Sequence, residues 1–516
     1  MEEWGEKFDL PMIVSEYAHA LGTDFGQMQR LYEIMQSKPK VAGGSVWELF
    51  DQGLLTTTSP LKSKWELTNY VWPSDTTFYD TNQCDGTDGL MYANRFPKTN
   101  YWQARKVYSY VIIPDTVYSV LPGKNQLNVP FINRYDFTDL NTVNASWRLM
   151  ADGRILDNGT LLLNGAPHSM STAVLDTDIP EGYSNYWLEF ILTDKNGKDF
   201  YEKSLHLELP GSKPLTAMVS NVPNKVNSKG LSVKNPLYSF VPDENGLGFK
   251  ILNSNGIEII SQALISKVGR KITITDNITR NSRRAKKYPF WDKLWMTPSS
   301  LNLNHSDKKG LDIDLVFFSD SLHNDTLDIA RQTLGNVKMT FEDNGIINID
   351  YNFKAEGRGA SVEAGYGLLL PHNLTNFRWL GNGPYASYPS KDRLSEFGVW
   401  NMNSDDIYFP GNRMHVNALL VTDNEGNGFV MFTDDANVSF ERYKDVLLVS
   451  HNCWQTSAFN KHTWPEGIKD LSEIELTGHF SILPLTPDWN DKLRTLFGEP
   501  AKSIPANKPY YRSYDQ

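Results

Sequence analysis

Cysteine is almost absent from this chain of 516 residues, which contains only Cys84 and Cys453. Two cysteines form at most one disulfide, so we exclude a small fold held together by a disulfide framework and expect stability to come from hydrophobic cores. The sequence also has no apolar run of about eighteen residues, the length that a membrane-spanning helix needs. Residues Met1–Lys7 are acidic and lack the apolar segment of a signal peptide, so the sequence leaves the compartment open.

Positive charge is scarce as well: 50 Lys and Arg residues face 61 Asp and Glu residues, which gives a formal net charge of −11. Such a chain is not expected to bind nucleic acid or an anionic membrane surface. The basic cluster at residues 283–287 is short, and we interpret it as a solvated loop. Aromatic residues, in contrast, make up 12% of the chain, which is typical of carbohydrate-active proteins. The length predicts about three domains.

A single carboxylate near the start of the chain is the most informative residue. The apolar run Pro11–Val14 predicts a buried parallel strand, and Glu16 follows where this run stops. Helical spacing comes next, in the apolar residues Phe25, Met28, Leu31, Ile34 and Met35. A strand, an acid at its end and then a helix are how an α/β barrel presents a catalytic group at its C-terminal face. The alternative from position alone is a solvated rim residue.

The stretch Lys40–Leu54 predicts a second strand that starts at the glycine pair Gly43–Gly44. Aromatic and acidic residues follow it, namely Trp47, Glu48, Asp51 and Gln52. Two successive strands would therefore present such side chains on the same face. Aromatic rings beside carboxylates suit sugars, whose C–H faces stack on rings while their hydroxyls form hydrogen bonds.

Several motifs together resemble the large β-galactosidases of glycoside hydrolase family 2. They are Ser15–Gly22, Gly43–Gly53, Asp88–Lys98, Tyr101–Tyr108 and Gly381–Pro389, and they cover nearly the whole chain in the family's order. The resemblance implies a multidomain, mostly β protein. A partial (β/α)8 barrel would be followed by an immunoglobulin-like β-sandwich and a large β-supersandwich.

Changes in the pattern of apolar, polar and turn residues along the sequence mark the boundaries between these parts. Residues 1–105 would be the C-terminal part of the barrel, with residues 55–83 as a long loop over its mouth. Residues 106–212 would form the immunoglobulin-like sandwich, 216–500 the supersandwich, and 501–516 a polar tail.

Turn signals mark the predicted sandwich. They occur at Asp152–Gly153, Asn158–Gly159 and Lys195–Gly197, between short runs of mixed apolar and polar residues. Farther along, the polar stretch Ser319–Arg331 has an ambiguous period.

The resemblance also implies chemistry. Retaining glycosidases use two carboxyl groups, a nucleophile and an acid/base, and Glu16 matches the family's nucleophile. The family's acid/base follows an Asn on an earlier barrel strand, so we expect it to be absent from this chain, along with the family's magnesium ligands. The pairs Asn424–Glu425 and Glu244–Asn245 precede glycines in predicted turns, and we do not expect either glutamate to serve as the acid.

Three further residues are implied to bind the sugar. His19 would contact a substrate hydroxyl, Trp47 would stack on the sugar ring, and Asp88 would contact the sugar, with a sodium ion nearby. We expect no other cofactor. Asp51 is predicted to brace its loop through hydrogen bonds rather than to touch the sugar.

We therefore expect the C-terminal half of a retaining β-galactosidase that acts on a β-galactoside or a related β-sugar. Its partners would be a missing N-terminal half or a partner chain, and homo-oligomers are compatible with the family. Alone, the chain is expected to have little or no activity. Two alternatives stay open: a non-catalytic carbohydrate-binding protein built from the β-domains, and one subunit of a two-chain galactosidase.

Overall fold

The computed structural model describes residues 10–20, 25–56, 78–80, 88–93, 95–219, 226–229, 231–270, 291, 294–306, 309–324, 327–406, 408–443, 446–457, 468–489, 497 and 502–503. Cys84, the basic cluster at residues 283–287 and most of the predicted tail lie outside these ranges. Among the described residues, β-strands dominate and the two α-helices both lie before residue 110. Neither helix has the length and apolar character that crossing a membrane requires.

The N-terminal part contains a β–α–β unit made of β1 (Met12–Tyr17), α1 (Met28–Ser37) and β2 (Val41–Val46). The two strands pair in parallel, with Met12 opposite Val41 and Tyr17 opposite Val46. The predicted strand–helix–strand order is thus confirmed, and it is the repeating unit of a (β/α)8 barrel. The prediction that the second strand starts at the glycine pair was wrong, because the pair lies inside the strand. A Cβ on Gly44 would lie 3.0 Å from Val14 Cβ, so a glycine permits the close approach of the two strands.

Only one face of this two-stranded sheet is covered by described residues. Helix α1 and the following helix α2 (Thr99–Val107) pack on it, and their contact residues form one apolar cluster with Tyr17. On β1 the side chain of Ile13 is 73% exposed, so the prediction of a buried strand was wrong for the described part of the chain. Parallel strands are ordinarily covered on both faces, so this face is suited to further packing.

The predicted loop over residues 55–83 contains more regular structure than expected. Its ends pair as the antiparallel strands β3 (Leu54–Thr56) and β4 (Phe78–Asp80). The residues between these strands lie outside the described ranges, so the position of the loop relative to the barrel mouth stays a prediction.

An immunoglobulin-like sandwich follows. Its strands are β5 (Val111–Ile112), β6 (Tyr118–Ser119), β7 (Gly123–Asn133), β8 (Asn144–Ala151), β9 (Arg154–Leu161), β10 (Met170–Ile179), β11 (Tyr186–Thr193) and β12 (Asp199–Glu208). One sheet has the order β10-β7-β5 and the other the order β6-β12-β11-β8-β9. Alternating side chains from the two sheets form a single core that includes Phe131 and Phe190.

Two of the three turn signals are confirmed, and one was wrong. Asp152–Gly153 joins β8 to β9 and Lys195–Gly197 joins β11 to β12, whereas Asn158–Gly159 lies inside β9. The reason is packing. A Cβ on Gly159 would lie 3.0 Å from the indole nitrogen of Trp147 on the neighbouring strand, so this glycine accommodates a ring rather than a turn.

The C-terminal part begins with a five-stranded antiparallel sheet in sequential order. Its strands are β13 (Asn227–Lys229), β14 (Ser232–Asn235), β15 (Tyr238–Pro242), β16 (Phe249–Asn253) and β17 (Glu258–Ile260). The aromatic side chains of Phe240 and Phe249 stack with ring centroids 4.4 Å apart and belong to the largest apolar cluster among the described residues.

A fourteen-stranded sheet of described residues makes up most of the remainder, and its central ten strands pair from Trp295–Met296 at one end to Ser300–Ser306 at the other. The described residues of the ambiguous stretch Ser319–Arg331 belong to two paired antiparallel strands, Gly310–Asn324 and Leu327–Phe341. The strands from β18 onward are β18 (Gln262–Lys267), β19 (Trp295–Met296), β20 (Ser300–Ser306), β21 (Gly310–Asn324), β22 (Leu327–Phe341), β23 (Ile347–Glu356), β24 (Ala360–Ser361), β25 (Glu363–Leu370), β26 (Asn376–Gly383), β27 (Glu396–Asn403), β28 (Gly411–Thr422), β29 (Gly428–Arg442), β30 (Leu447–Gln455), β31 (Lys469–Asp470), β32 (Leu476–Leu485) and β33 (Lys502–Ser503). The predicted fold class, a partial barrel followed by an immunoglobulin-like sandwich and a supersandwich, is confirmed.

One buried carboxylate connects all three parts. Glu396 at the start of β27 lies 2.7 Å from the ammonium group of Lys106 on α2, and it accepts a 2.7 Å hydrogen bond from the backbone N–H of Ser204 on β12. Burial by itself would raise the pKa of Glu396, but the ammonium groups of Lys106 and Lys203 outweigh it and lower the pKa below its usual value. This charged junction fixes the barrel helix against the two sandwiches.

His451 on β30 is expected to make the stability of the fold depend on pH. Its ring is buried, its Nδ1 lies 2.9 Å from Tyr351 Oη, and burial together with His479 lowers its pKa to about 4. In the unfolded chain the imidazole takes up a proton below about pH 6.5, whereas the folded protein keeps it neutral until about pH 4. We therefore expect up to about 3 kcal/mol of stability to be present above pH 6.5 and lost as the pH falls toward 4.

Denaturant unfolding from pH 7.5 to 4.5, with wild-type protein and a His451→Gln variant, measures this effect. The variant should show a flatter pH dependence, because it removes the titrating group but keeps an amide that can bond to Tyr351. His168 is a suitable control since its side chain is 67% exposed. An unchanged slope in the His451 variant contradicts the prediction.

Candidate active site

Glu16 is the penultimate residue of β1, at the carboxyl end of the strand. Barrel enzymes place their catalytic groups at this end. Side chains alternate along a strand: Tyr17 is buried against the helices, and the Glu16 side chain is 50% exposed on the other side. The carboxylate is thus accessible to a molecule approaching the strand ends.

His19 lies beside this carboxylate because the backbone turns sharply after β1. Ala18 has a φ of 50°, in the left-handed region, and the imidazole Nε2 of His19 comes to 3.5 Å from Glu16 Oε2. The other ring nitrogen, Nδ1, lies 2.7 Å from Oδ2 of Asp88, which is fully buried. One ring nitrogen of His19 thus bonds to the buried carboxylate of Asp88, and the other faces Glu16.

Trp47 lies beside His19, at the end of the second strand. It follows β2, donates its backbone N–H to the carbonyl of Tyr17 at 3.2 Å, and is joined to Glu48 by a cis peptide bond. Its ring centroid lies 6.5 Å from that of His19, with the planes inclined by 41°. The structure therefore brings Glu16, His19 and Trp47 together at the ends of two parallel strands.

Asp51 has the bracing contacts that were predicted for it. One carboxylate oxygen accepts the backbone N–H of Gly89 at 2.9 Å and the ammonium group of Lys98 at 2.5 Å. Burial raises the pKa of Asp51 despite the opposing charge of Lys98. A Cβ on Gly89 would lie 2.2 Å from the backbone nitrogen of Asp51, so only a glycine allows this contact. These bonds hold the segment that carries Asp88 against the segment that carries Trp47.

Asn100 contributes to the site without having been predicted. Its Nδ2 donates to the carbonyl of Ala20 at 2.9 Å, next to His19, across 80 residues of sequence. The hint in the sequence was the adjacent family-like motif Asp88–Lys98. No local pattern, however, indicates a contact over such a separation.

The sodium ion that the resemblance implies near Asp88 stays a prediction. Oδ2 of this residue bonds to Nδ1 of His19 at 2.7 Å. Within the described ranges, no three His, Cys, Asp or Glu side chains are grouped as metal ligands. Glu244 and Glu425, the two rejected acid candidates, are exposed residues in tight turns between sandwich strands.

Comparisons with known proteins match the order of these parts. Residues 1–113 match the family model "Glycosyl hydrolases family 2, TIM barrel domain", residues 129–206 match "Beta-galactosidase, domain 4", and residues 239–472 match "Beta galactosidase small chain". Together the three models span the barrel part and both sandwiches.

The chain belongs to glycoside hydrolase family 2.

Its relatives are β-galactosidases. The "Beta-galactosidase" of Pseudoalteromonas haloplanktis is 22% identical over 424 residues, which cover 78% of this chain and 40% of that protein. The one from Staphylococcus xylosus is 23% identical over 450 residues, 84% of this chain and 43% of that protein. The chain thus spans about two fifths of the length of these family 2 relatives. A solved Bacteroides uniformis beta-glucuronidase aligns with 92% of this chain and 42% of its own at 12% identity, with a TM-score of 0.18, too low to indicate a shared fold.

Proposed function

We propose that this chain carries the nucleophile of a retaining β-glycosidase that acts on β-galactosides or closely related β-sugars. The observation that supports this most directly is the exposed carboxylate of Glu16 at the carboxyl end of a parallel strand, with His19 beside it and Trp47 next to His19. A solvated rim residue has no need of a buried histidine–carboxylate pair at its side.

In the proposed reaction the carboxylate of Glu16 attacks the anomeric carbon while the bond to the leaving oxygen breaks. A second carboxyl group donates its proton to that oxygen. The same group then takes a proton from water, which attacks the anomeric carbon and releases Glu16. In retaining enzymes the two carboxyl groups lie about 5–5.5 Å apart.

The neighbours of Glu16 are proposed to bind the sugar. The half-buried indole of Trp47 offers an apolar face on which the C–H side of a sugar ring can stack. His19 offers Nε2 to a hydroxyl group near the nucleophile. Asp88 is proposed to act on the sugar through His19, since its own carboxylate is buried behind that ring.

We also propose that the acid/base carboxyl is supplied by protein other than these 516 residues, either an N-terminal half or a separate chain. The face of β1 and β2 on which Ile13 is 73% exposed would be covered if further strands closed the barrel. The description "Beta galactosidase small chain" for residues 239–472 favours the two-chain version as the second candidate. In that version activity appears only on mixing the two chains.

Covalent trapping tests the proposal. The complete protein, this chain together with the part that supplies the acid/base, is incubated with an activated 2-deoxy-2-fluoro-β-galactoside and digested for mass spectrometry. We expect the fluorosugar on the peptide that contains Glu16. An adduct on any other residue, or sugar binding without any adduct, would favour another nucleophile or a non-catalytic binding protein.

A further inference from the structure

A loop of the C-terminal sandwich reaches the barrel part close to the proposed site. It spans Ser387–Lys391, between β26 and β27. Tyr388 and Lys391 exchange two backbone hydrogen bonds of 3.1 and 2.8 Å, and the backbone N–H of Ser387 donates to the carbonyl of Asn412 at 2.8 Å. The loop is therefore fixed to its own sandwich before it meets the barrel.

Two groups of this loop contact the barrel part directly. The carbonyl of Ser390 accepts the backbone N–H of Gln27, just before α1, at 3.1 Å. The ammonium group of Lys391 donates to Thr99 Oγ1 at 3.0 Å and to Asn100 Oδ1 at 2.7 Å, and the Lys391 side chain is almost completely buried. Hydrogen bonds from a charged donor are roughly twice as strong as neutral ones, so Asn100 is firmly held.

From Asn100 the contacts lead to the segment that follows Glu16. The amide nitrogen of Asn100 donates to the carbonyl of Ala20 at 2.9 Å. The backbone N–H of Ala20 in turn donates to the carbonyl of Asp88 at 3.2 Å. Asp88 holds His19, whose Nε2 faces Glu16. An ammonium ion on the amide oxygen also polarises the amide and strengthens its donation to Ala20.

The segment needs such support because of Ala18. A left-handed conformation is unfavourable for a residue with a Cβ, and it persists only where the surrounding structure fixes it on both sides. On one side the carbonyl of Tyr17 accepts a hydrogen bond from Trp47. On the other side Ala20 is held by Asn100 and Asp88.

We infer that Lys391 is a positioning residue of the active site: from the C-terminal sandwich it holds Asn100, and through Asn100 the backbone that places His19 beside Glu16. The inference rests on the proposed function for its effect on catalysis. Its structural part, the support of residues 17–20, does not depend on that function.

The test compares Lys391→Met, which keeps the aliphatic stem and removes the ammonium group, with the control Tyr408→Phe. Tyr408 also belongs to the C-terminal sandwich and donates a partly buried 2.6 Å hydrogen bond to the barrel part, at the carbonyl of Pro97, but this bond does not lead to Ala20. Hydrogen–deuterium exchange of the chain should speed up about tenfold at residues 17–20 in Lys391→Met and stay unchanged there in Tyr408→Phe.

In the complete enzyme, Lys391→Met should lower kcat about 10- to 100-fold while KM changes less than about threefold, because a displaced nucleophile affects the transition state more than binding. The double variant Lys391→Met/Asn100→Leu should be no slower than Asn100→Leu alone. Additive losses, or equal effects of Lys391→Met and Tyr408→Phe, overturn the inference. If Lys391→Met does not fold, Asn100→Leu alone must show the faster hydrogen–deuterium exchange at residues 17–20 and the loss of kcat. If it shows neither, the inference fails.

The two proposals can fail separately. If Glu16→Gln retains full activity, the proposed function is wrong. The exchange measurement still shows whether Lys391 stabilises the backbone of residues 17–20. If Glu16→Gln is inactive while Lys391→Met has wild-type exchange and kcat, only the positioning role is wrong.

Discussion

Replacing Glu16 with glutamine should lower kcat/KM for an aryl β-galactoside by on the order of 10⁴-fold in the complete enzyme. The amide has nearly the same shape as the carboxylate but cannot attack an anomeric carbon, so the covalent route is closed. The Glu16 side chain is half exposed and lies at the end of β1, so we expect the variant to fold like the wild type. Steady-state kinetics with an activated substrate, together with a thermal unfolding curve, measure both effects.

Glu48 provides the matched control. It follows Trp47 at the same end of the sheet, and its Oε2 accepts a 2.9 Å hydrogen bond from Gln52. Glu48→Gln keeps a group that can accept this bond, and we expect kcat/KM within about fivefold of wild type, as for a residue outside the catalytic set. If Glu48→Gln abolishes activity and Glu16→Gln does not, the nucleophile has been assigned to the wrong strand.

Replacing Lys267 with methionine should destabilise the C-terminal sandwich by about 3–5 kcal/mol. Lys267 on β18 and Glu363 on β25 are both fully buried, with Nζ and Oε2 2.5 Å apart, and the ammonium group also donates to Ser450 Oγ at 3.0 Å. Methionine fills most of the same space but leaves the Glu363 carboxylate without its positive partner. Within the described ranges its Oε1 already has no hydrogen-bond partner, so little remains to compensate the charge.

The double variant Lys267→Met/Glu363→Leu separates charge from packing. Replacing both ions by apolar groups of similar size should recover most of the lost stability, because no uncompensated charge stays buried. The surface pair Lys309–Asp343, about half exposed on both sides, is the control, and Lys309→Met should not measurably change unfolding. Urea unfolding monitored by tryptophan fluorescence gives the free energy of unfolding of the wild type and of the three variants. A small loss in Lys267→Met, or a double variant as unstable as the single one, means that the pair does not act as a buried charge pair.

The elements that the sequence predicted well are those whose signal is local. Helix α1 follows from apolar residues at three- and four-residue steps, and the turns at Asp152–Gly153 and Lys195–Gly197 follow from their turn residues. The prediction failed where one residue type has two physical uses. Gly159 resembled a turn glycine and proved to accommodate the Trp147 ring, and Gly44 resembled a strand start and proved to allow close strand packing.

The candidate site was predictable only in part. Glu16, His19 and Trp47 stand in short motifs, and the structure brings them together. The burial of Asp88 behind His19 was not predictable, because the two residues are 69 positions apart and nothing in the local sequence reports burial. The roles of these residues in binding and catalysis stay predictions until the variants above are measured.

By itself the sequence determined the family, the order of a barrel part and two sandwiches, and the place of one carboxylate at a strand end. These follow from periodicity and short motifs, which neighbouring residues encode. Only the tertiary structure decided how that carboxylate is supported: the Lys391–Asn100 contact joins positions 291 residues apart, and the Lys106–Glu396 pair joins positions 290 apart. Such contacts depend on how separately folded parts pack together, and no pattern within either segment contains that information.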